Sequence, residues 1–586
     1  MMVAVSRHRR NGRARWSVIA LGVALTTAVA IGAAMVWSSS QDECPGPVTT
    51  VQVLVSPDQL PVLGRLADDW NAGPAAEDRC GQVTVAAAPS NDVAAALSPD
   101  WDEASAGARP DVWVPESSTW FAVAGARQDA AAMLPADPPP SLASSPAVLA
   151  MQQPMAEVLG WPDSELGWSE LLGAFATGET WAQFDHPEWG PLQLGMVDPT
   201  RSFAGVATVI TVLDLDGDGT QSDQELLAGL GFGKLVTTPA ENAAQLLRAY
   251  AESEGDPQQL PAAFPVLERE LALHVADEPD VPLVPVYPRE GVIVADYPYT
   301  VLQAPWVDQA KTELAGQFLE YVRGPAGREA YAAAGFRDPE LSAAGVPLLA
   351  ADRGFPEQIA APVRRPTPES LGELLGIYPS LVRPNNALMV LDTSGSMTDP
   401  VPGTELTRLQ LLQGAALQGI GLLNNASSMG LWEFSTELTP TTPYRELVPI
   451  GRINEDLGGA NRREAMAGAI QQLGAAGGTG LYDTVHDAYV AAQAAFVPDA
   501  LNMIVVITDG RDEDHEGRSL SALLADLEDL VEPDRPLPIM ALAVGEEADA
   551  ASLERITEVT GGRTIVARDE RLAIQQVVLA FAGRLS

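Results

Sequence analysis

The sequence has few of the residues that build redox or nucleophilic sites. It contains two cysteines and five histidines among 586 residues. The histidines are scattered, and none belongs to an HExxH pair, which excludes that zinc-protease arrangement. No GxSxG elbow is present, and the glycine-rich run at 229–235 lacks the spacing and the hydroxyl residue of a phosphate-binding loop. We therefore predict that the protein is not an enzyme.

Positive charge is also scarce. The chain has 35 basic and 78 acidic residues, which gives a formal net charge of −43 at pH 7. Such a surface repels phosphate backbones, so we exclude nucleic acid as a partner. An apolar content of 46% is typical of globular proteins, and the length predicts several domains.

The N-terminus carries an export signal. Five arginines between positions 7 and 15 precede Ser17–Trp37, a run of 21 residues without a charge. That length is enough to span a bilayer, and the arginines favour a cytoplasmic N-terminus. We predict a basic cytoplasmic segment at 1–16, a single transmembrane signal-anchor at 17–37 and an extracellular remainder. Cleavage near Ala34 is the alternative.

The two cysteines follow this segment closely. Cys44 and Cys80 form an even pair in a part of the chain that we expect to be exported. An oxidising compartment favours one disulfide between them. Two free thiols are the alternative that the sequence leaves open.

A buried strand near the middle of the chain ends in a polar loop. The apolar run Ala387–Leu391 predicts a parallel strand, and Asp392, Ser394 and Ser396 follow it at alternate positions. Ligands of open α/β sheets bind at such strand ends. These side chains offer only oxygen atoms, which Mg²⁺ and Mn²⁺ prefer. The alternative is a polar turn in which the same residues cap a helix.

Two later loops complete a known pattern. A glycine-rich turn contains Thr479, and a second apolar strand, Ile504–Thr508, ends at Asp509. In this order the five residues resemble the metal-ion-dependent adhesion site of von Willebrand factor A domains. The resemblance implies a doubly wound parallel sheet at 385–586. It also implies Mg²⁺ or Mn²⁺ on Asp392, Ser394, Ser396, Thr479 and Asp509, and an extracellular or surface partner whose acidic side chain completes the cation's shell.

The segment from 44 to 360 follows another pattern. Strands at Val51–Val55 and Val83–Val85 flank a helical stretch, and Asp111–Val114 and Ser144–Met151 follow as further strands. With these segments the chain resembles type 2 extracellular solute-binding proteins, which have two lobes and bind a small solute. This resemblance implies a ligand cleft at Ser117, Ser118, Ser145, Thr200, Arg201, Ser202 and Tyr287. Ordinary turns and helix caps are the alternative for each of these residues.

A second candidate cation site lies within this segment. Residues 214–225 match the twelve-residue EF-hand loop, with Gly219 at its sharp turn and predicted helices on both sides. The ligands would be Asp214, Asp216, Asp218, Thr220 through its carbonyl, Ser222 and Glu225. Gln221 replaces the apolar residue that pairs two such loops, so we predict an isolated, structural Ca²⁺ site. An acidic turn without metal is the alternative.

Prolines punctuate residues 361–384, which predicts a semi-rigid linker between the two extracellular domains. The fold class that follows is α/β, with a transmembrane helix, a two-lobed solute-binding-like domain and a von Willebrand factor A domain. We expect a membrane-anchored protein that binds a protein partner through the divalent cation. The alternative is a surface solute receptor of the ABC-transporter binding-protein type, with the A domain as an accessory interaction module.

Overall fold

A computed structural model describes residues 48–73, 80–175, 180–253, 260–401, 405–436, 438–509, 511–544 and 549–567. The strands are β1 (Thr49–Val55), β2 (Gly81–Ala87), β3 (Val112–Val114), β4 (Ser145–Gln152), β5 (Leu194–Val197), β6 (Val236–Ala240), β7 (Ala263–Leu267), β8 (Leu283–Val286), β9 (Val292–Ala295), β10 (Thr300–Val301), β11 (Val363–Arg364), β12 (Asn385–Asp392), β13 (Ser428–Phe434), β14 (Tyr444–Arg452), β15 (Leu501–Thr508), β16 (Ile539–Val544) and β17 (Arg563–Ala567). The helices are α1 (Leu60–Asn71), α2 (Ser90–Ala96), α3 (Glu103–Ala106), α4 (Thr119–Gly125), α5 (Gln128–Ala131), α6 (Gln153–Val158), α7 (Trp168–Phe175), α8 (Phe203–Leu213), α9 (Asp223–Leu235), α10 (Ala243–Ala251), α11 (Glu268–Ala276), α12 (Gln309–Val322), α13 (Pro325–Ala333), α14 (Pro368–Val382), α15 (Arg408–Leu422), α16 (Arg462–Gln471), α17 (Leu481–Ala494), α18 (Leu520–Leu530) and α19 (Ala550–Val559).

The chain divides into two compact units. The first contains the described residues up to Leu142 together with Tyr297–Ala334. Its sheet has the order β10-β3-β1-β2, with β1 parallel to β2 and β3. Helix α1 buries an apolar face that includes Leu63, Leu66 and Trp70, as its spacing predicts. The βαβ start predicted from the sequence is therefore present.

The second unit, Ala143–Asp296 and Gly335 onward, contains two sheets. The first of these has the order β11-β9-β4-β7-β5-β6, with β8 also paired to β4. Every residue of β4 is buried, which explains its continuous apolar sequence. Helix α8 is likewise buried along its whole length. The predicted helices on both sides of the loop at 214–225 are α8 and α9.

The other sheet of the second unit follows the pattern of a doubly wound fold. Its order is β14-β13-β12-β15-β16-β17, and all neighbouring strands are parallel except the β13–β14 edge pair. Alternate residues of β12 enter different cores: Met389 and Leu391 pack on one face, while Leu388 and Val390 pack on the other. Burial on both faces requires continuous apolar strands, which is the pattern that predicted them.

The segment predicted to be a semi-rigid linker is folded instead. Strand β11 pairs in parallel with β9, and Pro368–Val382 forms helix α14, which packs against α8 and α9. Leu371 and Leu374 are buried in this packing. A proline at the first position of a helix costs no hydrogen bond, so Pro368 begins a helix rather than breaking one.

The predicted cytoplasmic segment at 1–16, the predicted anchor at 17–37 and Cys44 lie outside the described residues. Cys80 precedes β2 in a left-handed backbone conformation, with φ of 45°. The pairing of the two cysteines stays a prediction. Within the described ranges, no helix has the length and apolar character needed to cross a membrane.

Candidate cation and ligand sites

Asp392 is the last residue of β12 and the centre of the predicted adhesion site. Its side chain is buried, and its two carboxylate oxygens have different partners. One oxygen accepts a hydrogen bond from the Ser394 backbone N–H at 2.8 Å, and the other accepts from the Thr508 hydroxyl at 2.5 Å. Burial raises the pKa of Asp392 to about 6, although these hydrogen bonds oppose that shift. A carboxylate in this position is held in one orientation.

The polar side chains that follow β12 and β15 lie beside the Asp392 carboxylate. The hydroxyl oxygens of Ser394 and Ser396 are 3.1 Å apart, and the Ser396 hydroxyl donates to Asp509 Oδ1 at 2.7 Å. Asp509 directly follows β15, the parallel neighbour of β12. The carboxyl ends of adjacent parallel strands thus bring together four of the five predicted ligands.

Thr479 belongs to the loop that packs on this polar cluster. The Gly395 backbone N–H donates to the Gly477 carbonyl at 2.9 Å, and Thr479 itself is buried. Gly477 has φ of 81°, and a Cβ there would lie 2.5 Å from the Thr436 carbonyl oxygen. Only glycine fits this close approach, which brings the loop against the residues after β13.

The donor set suits a hard divalent cation, with one departure that the sequence did not predict. All five predicted ligands offer oxygen, and two of them are aspartates without solvent contact. However, Arg408 Nη1 lies 3.0 Å from Asp509 Oδ2, so this carboxylate already has a positive partner. Arg408 opens α15, whose start is fixed by a capping box between Thr407 and Gln410.

The loop at 214–225 brings three of its aspartate carboxylates close together. One oxygen from each of Asp214, Asp216 and Asp218 lies within 4.8 Å of the others. Gly219 has φ of 81°, and its N–H donates to Asp214 Oδ1 at 3.2 Å, which closes the turn. The Thr220 N–H donates to Asp218 Oδ1 at 2.7 Å. These positions fit the predicted Ca²⁺ ligands.

The end of this loop is also ordered. Ser222 and Glu225 form the capping box that begins α9, and Glu225 accepts a further hydrogen bond from the Asp216 N–H at 3.3 Å. Arg364 of β11 pairs with the carboxylate and the carbonyl of Asp214. Burial raises the pKa of Asp214, and the Arg364 guanidinium opposes that shift. The arginine lies in the segment that was expected to be a linker, so no sequence pattern paired it with this loop.

Two of the predicted cleft residues have local structural roles. The buried Ser117 hydroxyl accepts from the Thr119 N–H at 3.2 Å, as a turn residue does. Ser118 is exposed. The Ser145 hydroxyl accepts from the Arg269 N–H at 3.2 Å at the start of α11. These contacts favour the alternative of ordinary turns and caps for Ser117 and Ser145.

The loop before α8 is more open. Asp198 Oδ1 accepts from both the N–H and the hydroxyl of Thr200, at 2.8 and 2.7 Å. Arg201 lies 3.6 Å from Glu241, and both side chains are more than half exposed. Ser202 precedes α8 without making a side-chain cap. Thr200 and Arg201 are exposed, whereas Ser202 is half-buried.

Tyr287 belongs to a buried charged cluster. Its hydroxyl donates to Glu268, and burial together with this carboxylate raises the Tyr287 pKa well above its ordinary value. Arg337 clamps Glu268 with two hydrogen bonds of 2.7 and 2.8 Å. The same guanidinium donates to the backbone carbonyls of Leu341, Pro356 and Glu357. The predicted ligand contact of the Tyr287 hydroxyl is thus occupied by an internal partner.

The ring of Tyr287 nevertheless lines a cavity of about 400 Å³ in the second unit. Trp161 forms part of its wall, and Arg289 and Gln358 add polar groups. Most of the remaining lining is proline, alanine and other apolar residues. A volume of this size accommodates a small organic molecule.

A second buried carboxyl lies in the first unit. Glu116 follows β3 and accepts hydrogen bonds from the Ser90 hydroxyl and from Trp120 Nε1, the latter at 2.8 Å. Burial raises the pKa of Glu116 to about 7, and the nearby Asp58 adds to the shift. Its pairing with Ser90 joins distant parts of the sequence, so no local pattern identified it.

We predict a pH-dependent contribution from this carboxyl. Because the pKa of Glu116 is higher in the folded than in the unfolded chain, the folded state binds more protons between pH 4.5 and 7, and stability falls as pH rises through this window. Glu116→Gln should raise the free energy of unfolding by about 2 kcal/mol at pH 8 and change it little at pH 4. Urea unfolding followed by tryptophan fluorescence at both pH values measures this. An equal effect of the substitution at the two pH values would contradict the prediction.

Comparison with known proteins agrees with part of this description. Residues 51–337 match the family described as "Bacterial extracellular solute-binding protein". This confirms the solute-binding resemblance for that segment. Two uncharacterized proteins of Mycobacterium tuberculosis, from strains CDC 1551 and H37Rv, are each 26% identical over 540 residues, which cover 89% of this chain and 74% of the relative.

Several solved structures align with part of the chain. A periplasmic thiamin binding protein is 11% identical with a TM-score of 0.38, and the alignment covers 57% of this chain and 96% of that one. Iron-bound HitA from Pseudomonas aeruginosa is 14% identical with a TM-score of 0.38, covering 57% and 99%. A von Willebrand factor type A protein from Catenulispora acidiphila is 20% identical with a TM-score of 0.28. That alignment covers 34% of this chain and 42% of that chain.

Proposed function

We propose that this protein is an extracellular binding protein of the solute-receptor type, and that its C-terminal domain is an interaction module. The match of residues 51–337 to a bacterial extracellular solute-binding family carries this proposal. The solute-receptor function, which was the alternative from the sequence, therefore becomes the main proposal. The ligand would be a small solute. The exposed Thr200 and Arg201, the half-buried Ser202 and the cavity beside Tyr287 are candidate contacts.

Thermal unfolding of the full chain in the presence of grouped small solutes tests this function. A ligand present at 100 times its dissociation constant stabilises the folded state by about 2.7 kcal/mol, so a true solute raises the unfolding midpoint saturably. Trp161→Ala should remove the shift if the solute occupies the cavity that this ring lines. Absence of any saturable shift across amino acids, sugars, vitamins and oxyanions would contradict the solute-receptor function.

The second candidate function is cation-dependent binding of a protein partner. The mutual hydrogen bonding of Asp392, Ser394, Ser396 and Asp509 favours it. Asp392, Ser394 and Ser396 would hold Mg²⁺ or Mn²⁺, with Thr479 and Asp509 acting directly or through water. The cation would supply the positive charge that attracts an acidic side chain of an extracellular or surface protein. The protein's own residues would fix the position of the cation, because both carboxylate oxygens of Asp392 accept hydrogen bonds that hold this side chain in place.

A pull-down of surface proteins by the full chain, in Mg²⁺ and again in EDTA, tests this second function. Specific capture should occur in Mg²⁺ and disappear in EDTA. The pull-down must be repeated with Ca²⁺ as the added cation, since the loop at 214–225 is a separate candidate cation site. Capture of equal strength in EDTA would contradict a cation-dependent interface.

We further propose that the loop at 214–225 binds Ca²⁺ as a structural ion. Glu225→Gln replaces one carboxylate oxygen at the last ligand position with an amide nitrogen and removes the negative charge, but keeps the shape of the side chain. The expected result is that Ca²⁺ raises the thermal midpoint of the wild-type chain and no longer does so in this variant. Gln224→Glu, which alters the neighbouring exposed position, serves as the control and should respond like the wild type. A Ca²⁺ effect that survives Glu225→Gln would contradict the site.

For the N-terminus we propose a single membrane anchor at 17–37 and a disulfide between Cys44 and Cys80. Membrane fractionation before and after carbonate washing tests the anchor, since an integral protein stays in the membrane pellet. Alkylation of thiols with and without prior reduction tests the disulfide. Release by carbonate, or full alkylation without reduction, would contradict the respective proposal.

A further inference from the structure

Arg408 introduces a positive charge into the cation site of the C-terminal domain. Its guanidinium lies 3.0 Å from Asp509 Oδ2, while Ser396 donates to the other oxygen of the same carboxylate at 2.7 Å. The Asp509 side chain is fully buried, and that of Arg408 is 12% exposed. Asp399 is 3.7 Å from Arg408 and 57% exposed. The nearer of these two carboxylates, that of Asp509, is a predicted cation ligand.

A buried carboxylate without a positive partner destabilises the folded state. Arg408 supplies that partner for Asp509 when the cation is absent. The same contact opposes cation binding, since a guanidinium and a divalent cation that share one carboxylate repel each other and compete for it. The arginine is held in place by its position in the first turn of α15, because its own N–H donates to the Asp399 carbonyl at 3.0 Å.

We propose that Arg408 is an internal counter-ion that lowers the cation affinity of the free site and makes a partner's carboxylate necessary for tight cation binding. This inference rests on the proposed cation site. The formal charges of the buried Asp392, Asp509 and Arg408 sum to minus one, so a bound divalent cation leaves these buried groups with an excess positive charge. A carboxylate from the partner cancels this excess. Without Arg408 the two aspartates would balance the cation alone.

The counter-ion role belongs to a residue outside the five-ligand pattern. It predicts cooperative binding: the cation and an anionic group should each strengthen the binding of the other. It also predicts that the domain stays folded in EDTA, since Asp509 keeps its ion pair with Arg408. Both effects should disappear when the guanidinium is removed.

Calorimetric titration of the full chain with MgCl₂, with and without sodium acetate as a simple carboxylate, tests the proposal. We expect acetate to tighten Mg²⁺ binding to the wild type by about tenfold, and Arg408→Met to bind Mg²⁺ about tenfold more tightly than the wild type without acetate. The thermal midpoint in EDTA should fall in Arg408→Met and recover in Mg²⁺. Asp392→Ala identifies the heat that comes from this site rather than from the loop at 214–225.

Two further variants keep the test decisive. Arg408→Lys retains the positive charge and should keep wild-type Mg²⁺ affinity within about threefold, even if Arg408→Met folds poorly. Arg535→Met removes an equal side chain from a half-exposed ion pair with Glu532 ahead of β16, and should leave Mg²⁺ binding unchanged.

The outcomes separate this inference from the function on which it rests. Equal Mg²⁺ affinity in the wild type, Arg408→Met and Arg408→Lys, with loss in Asp392→Ala, would overturn the role of Arg408 and leave the cation site standing. No Mg²⁺ binding in any variant, with or without acetate, would overturn both. Two results together would support the counter-ion role of Arg408. Arg408→Met should bind Mg²⁺ more tightly than the wild type, and acetate should tighten Mg²⁺ binding only in the wild type and Arg408→Lys.

Discussion

Asp392→Ala should abolish Mg²⁺-dependent partner capture, lowering affinity by at least about 100-fold. Asp392 contributes the buried carboxylate at the end of β12, and an alanine cannot replace its charge or orient the Ser394 N–H. The loss of one direct charged ligand typically costs several kcal/mol of cation binding, which corresponds to this factor. Capture measured at matched protein concentration in Mg²⁺, Mn²⁺ and EDTA gives the result.

The controls for this experiment come from the same domain. Asp529→Ala removes an exposed aspartate from α18 and should bind the partner as the wild type does. Asp392→Asn keeps the size of the side chain and should also lose cation-dependent capture, which separates loss of charge from loss of packing. Unchanged capture by Asp392→Ala in Mg²⁺ would refute the cation-dependent function.

The largest effect on stability is expected at Arg337. Arg337→Met leaves Glu268 buried without a positive partner, since the two side chains are 0% and 1% exposed. Breaking a buried ion pair on one side costs about 3–5 kcal/mol. The substitution also removes the donors to three backbone carbonyls near residues 341–357. Urea unfolding at pH 7 should show this loss in the transition of the second unit.

A double variant distinguishes an unpaired charge from lost packing. Glu268→Gln together with Arg337→Met removes both charges, and it should be more stable than Arg337→Met alone. Arg201→Met, which removes an arginine from an exposed pair, should change the free energy of unfolding by less than about 0.5 kcal/mol. A loss at Arg337 no greater than the loss at Arg201 would contradict the structural role of the cluster.

The sequence predicted the elements whose pattern is local. The strands β12 and β15 are continuous apolar runs because both faces of their sheet are covered, and each is followed by an aspartate at the same edge. The EF-hand-like loop was recognisable because its ligands are spaced along one short segment. In both cases the spacing along the chain determines the geometry of the site.

Contacts between distant residues could not be predicted in this way. Arg408 meets Asp509 across 101 residues, and Arg364 meets Asp214 across 150 residues. Neither arginine stands in a motif, and each pairing depends on the packing of whole elements. The proline content of the segment before the A-type domain predicted a semi-rigid linker. Pro368 instead begins α14, a helix that buries Leu371 and Leu374.

Strand β11 has a practical consequence for dissecting the protein. Cutting the chain at residue 360 to isolate the solute-binding-type domain would remove the strand that covers the edge of β9. It would also remove Arg364, the positive partner of Asp214. The shortened domain would expose an unpaired sheet edge, which promotes aggregation, and an uncompensated acidic loop. A cut placed after α14 preserves both, so the useful boundary for expressing the N-terminal half lies near residue 383, not at the first proline.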